Sequence, residues 1–564
     1  MSANSSDLSN SRYGYDFVVA TTQGSINATL KSFLSQLSEP VVTVCYIADP
    51  QGKPMEIDYD ELKKRANDSD PFAIPPGADP TSDPDLRNLI NARFMMGFQA
   101  QLGLPPGLAP TAIPDIVTLG SDTASVVYNL LCSQFTVVQL DPGGGYSPPT
   151  WFTQSQPPGA PWVFTSKVDL RLSTVDQSRY STLPPAVQAQ IKNLGSTAFS
   201  VQQLLFDLDN AALETTPTIS GVTPGTPLYL VLGQAFLGAY FSKLTRDGSP
   251  LLGCTIQQPG APTSTLTLTD LNLEVSPLLD ANGNTIVNPD QDQQNLGTLN
   301  YLCAADGDHL PVAVRFGWNW VEPSESADFD GVVSINRSTF ANYFRNQLNP
   351  YIATNCYLPS VTVTYDAATA ETQYAWSLRR GQAPTVTTPA TGPTVLTYHY
   401  DADAADQAGL NGDIGRMELH PTYDVTVSFS GNTVKIVQHL VIYLYVRSLA
   451  TAADGNVVDV TITDTYTIAV TQDGRLTSSL ATQRQDNSTN PSVDPFLNFW
   501  TGVNDITTAV EGWLRNVTST GLTDIPVSVT QDFVFPGGRT FAFKSAAFSD
   551  FGDLASHITY TDPS

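Results

Sequence analysis

Two widely separated stretches share the tripeptide Ser-Ile-Asn, and each continues with a helical apolar pattern. They begin at Ser25 and Ser334. The first stretch places five apolar side chains on one face of a 3.6-residue period: Ile26, Leu30, Phe33, Leu34 and Leu37. The second does the same with Phe340, Tyr343, Phe344, Leu348 and Tyr351. This spacing predicts two amphipathic helices, capped by Ser25 and by Asn336 or Ser338.

Neither predicted helix can be stable by itself. Burying five such side chains contributes about 10 kcal/mol before conformational entropy is subtracted. Isolated helices of this length are marginal in water. Each helix therefore needs a surface to lie on, and most of the remaining chain has β-strand patterns. We expect a β-rich α+β fold.

The order of predicted elements repeats, which indicates a duplicated module. Helix, strands, helix and strands follow Ser25, and the same order follows Ser334. We predict one module at residues 12–300 and a second at 301–564. A Pro-rich excursion at 53–114 and a loop-rich excursion at 361–415 interrupt them. The further predicted helices are Leu86–Leu102, Ser121–Leu131, Pro184–Leu213 and Asp505–Val517.

Several strands are predicted from alternation of apolar and polar residues or from short apolar runs. A phase slip at Thr269-Asp270 predicts a β-bulge. A meander is expected late in the chain, with turns at Gly431-Asn432 and Asp454-Gly455. The main predicted strands are Leu228–Phe241, Val312–Val321, Tyr423–Phe429, Val434–Val446 and Val457–Val470.

Composition limits the possible functions. A chain of 564 residues is too long for one core, and its net charge of −27 disfavours nucleic acid and anionic membranes as general partners. A local contact through Lys63, Lys64 and Arg65 stays open. The polar start and the absence of a long apolar run predict no signal peptide and no transmembrane segment. The protein is expected to be cytoplasmic or released without a signal peptide.

The sequence shows little catalytic or metal-binding chemistry. The five histidines are far apart, and no hydrolase, zinc or phosphate-loop motif is present. Five widely spaced cysteines indicate buried free thiols. We expect no cofactor, no metal and no catalytic residue. An enzyme with unmarked catalytic residues remains an alternative.

Aromatic residues are compatible with an apolar groove. Phe316, Trp318 and Trp320 share one face of a predicted strand that precedes the second helix. A groove between the helices and a sheet could hold an apolar ligand. Ordinary core packing explains the same pattern equally well. The candidate lining residues are Leu30, Phe33, Leu34, Phe316, Trp318, Trp320, Phe340, Phe344 and Trp513.

Short segments at both ends and in the middle resemble the forty-seven-kilodalton proteins of clostridial neurotoxin gene clusters. These segments are 13–20 with 25–27, 332–336, 535–544, 553–554 and 557–560. That family is placed in the tubular lipid-binding (TULIP) superfamily. The resemblance implies two tubular modules, each a long amphipathic helix wrapped by a curved antiparallel sheet, and it supplies no catalytic residues.

Three functions are therefore open. The first is a binding protein for lipid or another apolar small molecule. The resemblance extends this function to an accessory of a toxin or insecticidal system, with partner proteins from the same gene cluster. The second is a protein-interaction scaffold with filled cores, and the third is an enzyme acting on a small hydrophobic substrate.

Overall fold

The computed structural model describes residues 2–36, 41–109, 112–120, 125–144, 147–175, 200–215, 225–232, 253–257, 268–305, 308–449, 451–489, 491, 533–534 and 540–561. Within them the protein is β-rich, with antiparallel sheets and few helices. The helix predicted at Asp505–Val517 lies outside the described residues.

The secondary structure follows one order along the chain. The helices are α1 (Gln23–Gln36), α2 (Tyr59–Arg65), α3 (Pro84–Asn91), α4 (Pro227–Leu230), α5 (Gln291–Asn295) and α6 (Arg337–Ala353). The first strands are β1 (Phe17–Thr22), β2 (Val42–Ala48), β3 (Pro54–Ile57), β4 (Phe94–Leu102), β5 (Val117–Leu119), β6 (Ser125–Leu130), β7 (Cys132–Asp141), β8 (Thr150–Ser155), β9 (Phe164–Val175), β10 (Ser200–Thr215), β11 (Gly253–Gln257), β12 (Leu268–Ser276) and β13 (Thr298–Ala305). The later strands are β14 (Gly331–Ile335), β15 (Tyr357–Asp366), β16 (Glu371–Arg380), β17 (Thr385–Thr387), β18 (Thr394–Asp401), β19 (Ala404–Ala408), β20 (Gly415–Ser430), β21 (Thr433–Ser448), β22 (Thr451–Val470), β23 (Leu476–Asp486), β24 (Phe533–Val534), β25 (Thr540–Phe548) and β26 (Leu554–Thr561).

Both predicted amphipathic helices are present, but their starts differ. Asn336 caps α6 as predicted, because its side chain accepts from the Ser338 amide at 2.7 Å. At α1 the predicted cap is wrong. Thr22 accepts from the Ser25 amide at 3.3 Å, and Ser25 lies inside the helix. The two Ser-Ile-Asn copies are therefore not equivalent, since the second ends β14 and caps α6.

A six-stranded sheet joins the two ends and the middle of the chain. Its order is β12-β13-β1-β14-β26-β25, and all neighbouring strands are antiparallel. We call it the central sheet. The predicted module boundary, between residues 300 and 301, falls within β13. The division into two modules stays a prediction.

The central sheet brings together parts of three segments on which the family resemblance rests, one near each end of the chain and one in its middle. β1, β14 and β26 are adjacent, with Phe17 opposite Ile335 and Ile335 opposite Leu554. The beginning, the middle and the end of the chain therefore form a single element of structure.

The two strand–helix units are arranged antiparallel to each other. β1 runs directly into α1, and β14 runs into α6 through Asn336. Because β1 and β14 are antiparallel neighbours, the helices leave opposite ends of the central sheet. Phe17 and Val19 share one connected apolar cluster with both helices. The alternate side chains, Val18 and Ala20, lie in a separate cluster on the other face.

The predicted meander forms the longest strands. The sheet order is β17-β18-β20-β21-β22-β23, with β19 also paired to β20. We call it the long sheet. Strands β20 and β21 have 16 residues each and β22 has 20, and buried positions alternate along them. One face of this sheet therefore faces the apolar interior, as period-two burial requires.

The meander has one predicted turn in place and one displaced. The turn at Gly431-Asn432 is confirmed. The hairpin between β21 and β22 instead turns at Leu449, which has a left-handed φ of 52°. Asp454-Gly455 lies instead inside β22, next to a register shift opposite Ile442 and Tyr443. Gly455 is paired with Leu444 beside this β-bulge, so it does not form a hairpin turn.

Two further sheets and a hairpin complete the described fold. Their orders are β24-β11-β10-β9-β6-β5, β3-β2-β4-β7-β8 and β15-β16. Residues 361–415, predicted to be rich in loops, contribute to β15 and hold β16 to β19. The bulge predicted at Thr269-Asp270 is confirmed by a register shift between Leu268 and Asp270.

Several predicted helices are strands in whole or in part. The helix predicted at Leu86–Leu102 ends at Asn91, because Arg93 takes a left-handed φ of 61° and β4 follows. β4 then pairs with both β2 and β7. Tertiary strand pairing thus overrides helical periodicity.

The same effect explains the first two of three other corrections. Ser121–Leu131 contains β6, which pairs with β5 and β9. The described part of Pro184–Leu213 is β10, which pairs with β9. The described part of Leu228–Phe241 begins in the helix α4, not in a strand.

Candidate apolar binding site

The inner face of α6 is fully buried. Phe340, Phe344, Leu348 and Ile352 are each 0% exposed. These positions follow the helical period, so one side of α6 is apolar along its length. The predicted stripe is therefore confirmed at Phe340, Phe344 and Leu348, whereas Tyr351 is only half-buried and the unpredicted Ile352 completes the face.

Aromatic rings join α6 to the long sheet and the central sheet. The ring centroids of Phe340 and Phe429 are 5.3 Å apart, and those of Phe344 and Phe429 are 5.9 Å apart. Phe429, on β20, stacks on Phe548 of β25 at 4.5 Å. These distances are those of direct aromatic contact. The helix and the two sheets therefore meet at one aromatic junction.

The inner face of α1 belongs to the same apolar cluster. Ile26, Leu30 and Leu34 are 4%, 1% and 3% exposed. The side chain of Phe33 and the whole of Trp513 lie outside the described residues. Four predicted lining residues, Leu30, Leu34, Phe340 and Phe344, are thus brought into one connected interior.

A buried asparagine fixes α1 against a sheet edge. The Asn27 amide nitrogen donates to the Val117 carbonyl at 2.7 Å, and its oxygen accepts from the amides of Ile116 and Val117. Asn27 is only 2% exposed. Sequence reasoning gave Asn27 no role, because an amide on a helix is ordinarily solvated. Its position between Ile26 and Leu30 was the available signal.

The other predicted aromatic residues face away from the helices. Phe316, Trp318 and Trp320 are buried in the second cluster, on the opposite face of the central sheet. They pack with Tyr13, whose ring centroid lies 5.2 Å from that of Phe316. They therefore do not share a groove with Phe340 and Phe344, contrary to the arrangement expected from sequence.

The segment that carries these aromatic residues is not a strand. Val312–Val321 lies outside the described strands, so that prediction is wrong. The Tyr13 hydroxyl accepts from the Gly317 amide at 3.1 Å, and the Tyr15 hydroxyl accepts from the Val314 amide at 3.0 Å. Tyrosine hydroxyls thus replace a neighbouring strand as partners of two backbone amides. Burial along the segment does not alternate as in a strand, since Asn319 and Val321 are buried together with Trp318 and Trp320.

A carboxyl group is buried on this same face. Glu274 is 0% exposed, and it accepts from the Ser276 hydroxyl at 2.8 Å and from the Asn300 amide at 2.6 Å. Burial raises the pKa of Glu274 to about 7, against a usual value of 4.5, although both hydrogen bonds lower it. The charged form is therefore disfavoured in the folded protein.

Glu274→Gln is expected to stabilise the protein at pH 8 but not at pH 4.5. Because the folded pKa is raised, the contribution of Glu274 to stability is complete below about pH 4.5. It is lost as the pH rises through about 7. The neutral amide avoids this loss, which is worth about 2–3 kcal/mol. Urea unfolding at both pH values measures the difference.

The exposed residue Glu371 provides the control for this experiment. Glu371→Gln should change the free energy of unfolding little at either pH. An equal effect of Glu274→Gln at pH 8 and pH 4.5 would contradict the assignment.

The described cysteines confirm the prediction of buried thiols. Cys45, Cys132, Cys303 and Cys356 are free and buried, and burial raises the pKa of Cys45 and of Cys356 to about 12. Over the described ranges, no three His, Cys, Asp or Glu side chains are grouped so as to hold a metal ion. No helix in the part of the chain that the structure describes is both long and apolar enough to cross a membrane.

Comparison with known proteins finds only solved structures of low structural similarity. No protein-family model matches the chain, and no curated protein matches it. Among solved structures, P47 of Clostridium botulinum E1 has a TM-score of 0.42 at 7% identity, covering 97% of this chain and 98% of that one. P47 from Clostridium botulinum A2 has a TM-score of 0.37 at 8% identity, covering 97% of each chain.

A lipopolysaccharide binding protein is a third structural neighbour. It has a TM-score of 0.26 at 13% identity, covering 97% of this chain and 99% of that one. Because all three TM-scores are below 0.5 and all identities are low, these similarities do not assign the chain to a family.

Proposed function

We propose that the protein binds a lipid or another apolar small molecule between its two helices and the inner faces of its sheets. The observation that supports this proposal most is the continuity of the apolar interior. One connected cluster includes Ile26 on α1, Phe344 on α6 and Phe429 on the long sheet. An acyl chain entering such an interior would gain about 0.8 kcal/mol for each buried methylene group.

Residues of this cluster would form the walls of the binding site. Leu30 and Leu34 would line the part beside α1, and Phe340 and Phe344 the part beside α6. Phe33 and Trp513 remain candidates from sequence. Two tubular modules, and an accessory role in a toxin system, remain proposals that come from the family resemblance.

Ligand recovery and site-directed fluorescence test the proposal together. Native mass spectrometry and solvent extraction of the purified protein should recover an apolar ligand. Phe344→Trp places a fluorophore beside α6, and a brominated fatty acid should quench the fluorescence that this variant gains over the parent protein. Phe316→Trp places the fluorophore on the other face of the central sheet, where no quenching is expected.

The two fluorescence variants also show which outcome would contradict binding of an apolar ligand. Absence of a co-purified apolar molecule, together with equal quenching of both variants, would overturn the proposal. Circular dichroism of each variant verifies that the fold is retained.

A protein-interaction scaffold is the second candidate function, and one observation favours it. The rings of Phe340 and Phe344 are 0% exposed and 5.1 Å apart, so this part of the interior is filled by side chains. Partner contacts would then be made by the surface. Deleting residues 53–114 cannot test this idea, because β4 is paired on both sides and its sheet would be broken.

Surface substitution on α2 tests the scaffold instead. Lys64 and Arg65 are exposed at the end of this helix. Lys64→Glu with Arg65→Glu should abolish partner recovery in a pull-down if the excursion makes the contact. Unchanged recovery would contradict this version of the scaffold.

A further inference from the structure

A half-open cleft lies at the beginning of α1, away from the inner helix faces. Its volume is about 510 Å³, within the range of about 300–1,000 Å³ typical of small-molecule sites. It is bounded by the first turns of α1, by α5 and by residues 323–330. The lining residues are Thr22, Gly24, Ser25, Ala28, Asp292, Asn295, Leu296, Pro323, Ser326, Phe329 and Asp330.

The floor of the cleft is a fixed polar network. The hydroxyls of Thr22 and Ser25 are 2.6 Å apart, and the Ser25 hydroxyl donates to one Asp330 carboxylate oxygen at 2.6 Å. The other oxygen of Asp330 accepts from the Thr559 hydroxyl at 2.7 Å and from the Tyr560 amide at 2.8 Å. The Asp330 carboxylate therefore accepts three hydrogen bonds from within the fold, and it also lies beside the positive end of the α1 dipole.

The walls combine an aromatic ring with small apolar groups. Phe329 stacks on His557 with ring centroids 4.3 Å apart, which fixes the orientation of the phenyl ring. Leu296, Pro323 and Ala28 add further apolar surface. The cleft thus offers a short apolar surface next to polar groups, and not the long apolar channel that an acyl chain needs.

The rim supplies hydrogen-bonding groups that remain accessible. Asp292 and Ser326 are exposed, and Asn295 is half-buried. The Asn295 side-chain oxygen accepts from the Gln291 amide at 3.2 Å, which leaves the amide N–H groups of Asn295 as donors. A carboxylate acceptor, an amide donor and a hydroxyl therefore surround the opening.

The charge of the lining excludes some ligands. None of its residues is Lys, Arg or His, so a phosphate or carboxylate ligand would find no cationic partner. A cationic ligand would gain little, because the Asp330 carboxylate already accepts three hydrogen bonds and Asp292 is exposed to solvent, where an ion pair is weak. A neutral ligand with several hydroxyl groups and one apolar face matches the remaining chemistry.

We infer that this cleft binds a neutral mono- or disaccharide. The C–H face of a sugar ring would lie against Phe329 and the small apolar groups. Its hydroxyls would donate to Asp292 and accept from Asn295 and Ser326. This site is separate from the proposed apolar site, so either can fail without the other.

Saccharide titration with a blocking variant tests the inference. The probes are methyl glycosides of glucose, galactose, mannose and N-acetylglucosamine, with maltose and lactose, observed by saturation-transfer NMR. At least one is expected to bind with a dissociation constant of about 1 mM or lower. Ala28→Trp should abolish this binding, because Ala28 is an exposed lining residue and the indole would fill the cleft.

Ser35→Trp is the matched control. Ser35 is also exposed on α1 but lies outside the lining, and this variant should bind like the parent protein. Asp292→Asn should weaken binding at least fivefold, because it removes a charged acceptor. The inference is overturned if no probe binds at 10 mM (about ten times the expected constant), or if binding survives Ala28→Trp.

Discussion

Replacing Arg337 with alanine is expected to lower the free energy of unfolding by about 3–5 kcal/mol. The side chain is 4% exposed, and its guanidinium donates to backbone carbonyls on separate segments. One terminal nitrogen donates to Gly392 at 2.5 Å and to Phe551 at 3.3 Å. The other donates to Pro389 at 3.0 Å and to Thr394 at 2.6 Å. Alanine would leave four carbonyls without this donor, and that loss explains the size of the effect.

Urea unfolding followed by circular dichroism measures this loss. Arg337→Lys should fall between the parent and the alanine variant, because an ammonium group cannot reach four carbonyls as a planar guanidinium does. Arg345 provides the control, since it is an exposed arginine on the same helix. Arg345→Ala should cost less than about 0.5 kcal/mol. A loss below about 1 kcal/mol for Arg337→Ala would contradict the assigned role.

A buried carboxylate next to Arg337 connects residues near both ends of the chain. Asp553 is 0% exposed, and its carboxylate accepts from the Leu8 amide at 2.6 Å, the Ser6 hydroxyl at 2.8 Å and the Arg337 amide at 2.9 Å. Burial raises the pKa of Asp553 to about 6. The first residues, the start of α6 and the approach to β26 are therefore fixed by one carboxyl group.

Sequence patterns predicted the parts of the fold in which local periodicity and burial agree. In the long sheet, Val425, Val427 and Phe429 alternate with polar residues, and the structure buries all three. The inner face of α6 was predicted for the same reason. Where one face of an element is apolar and the other polar, its period is readable from the chain alone.

The errors arose where the backbone partner is remote in sequence. Phe316, Trp318 and Trp320 alternate as in a strand, yet the hydrogen bonds of their segment come from tyrosine hydroxyls near the N-terminus. No local pattern can reveal such a partner. β4 was predicted as a helix for a similar reason, since its pairing with β2 and β7 is a tertiary property.

The residues of the candidate site were predicted correctly or incorrectly for the same reason. The sequence identified Leu30, Leu34, Phe340 and Phe344 as inner-face residues, because each lies on a helical stripe. It could not show which face of the central sheet Trp318 would occupy. A shift of one residue in a strand-like segment exchanges its two faces. The face that Trp318 occupies therefore depends on which other parts of the chain cover the segment.

Phe344→Ala is expected to lower the free energy of unfolding by about 3–5 kcal/mol. The ring is 0% exposed and contacts the rings of Phe340 and Tyr343 on α6, with centroids 5.1 Å and 5.7 Å away, as well as that of Phe429. Truncation would remove these contacts and leave a cavity at the junction of the helix with two sheets. Rigid neighbours on both sides limit how far this cavity can collapse.

Urea unfolding also measures this change, with Phe551→Ala as the control. Phe551 is 49% exposed, so its truncation should cost less than about 1 kcal/mol. A loss below about 2 kcal/mol for Phe344→Ala would contradict the close packing of this junction. That result would mean that the side chains of the aromatic junction can rearrange. An interior that admits an acyl chain requires such rearrangement. A loss near the upper value would restrict any ligand to space beyond Phe340 and Phe344, and would strengthen the case for a filled scaffold in this half of the interior.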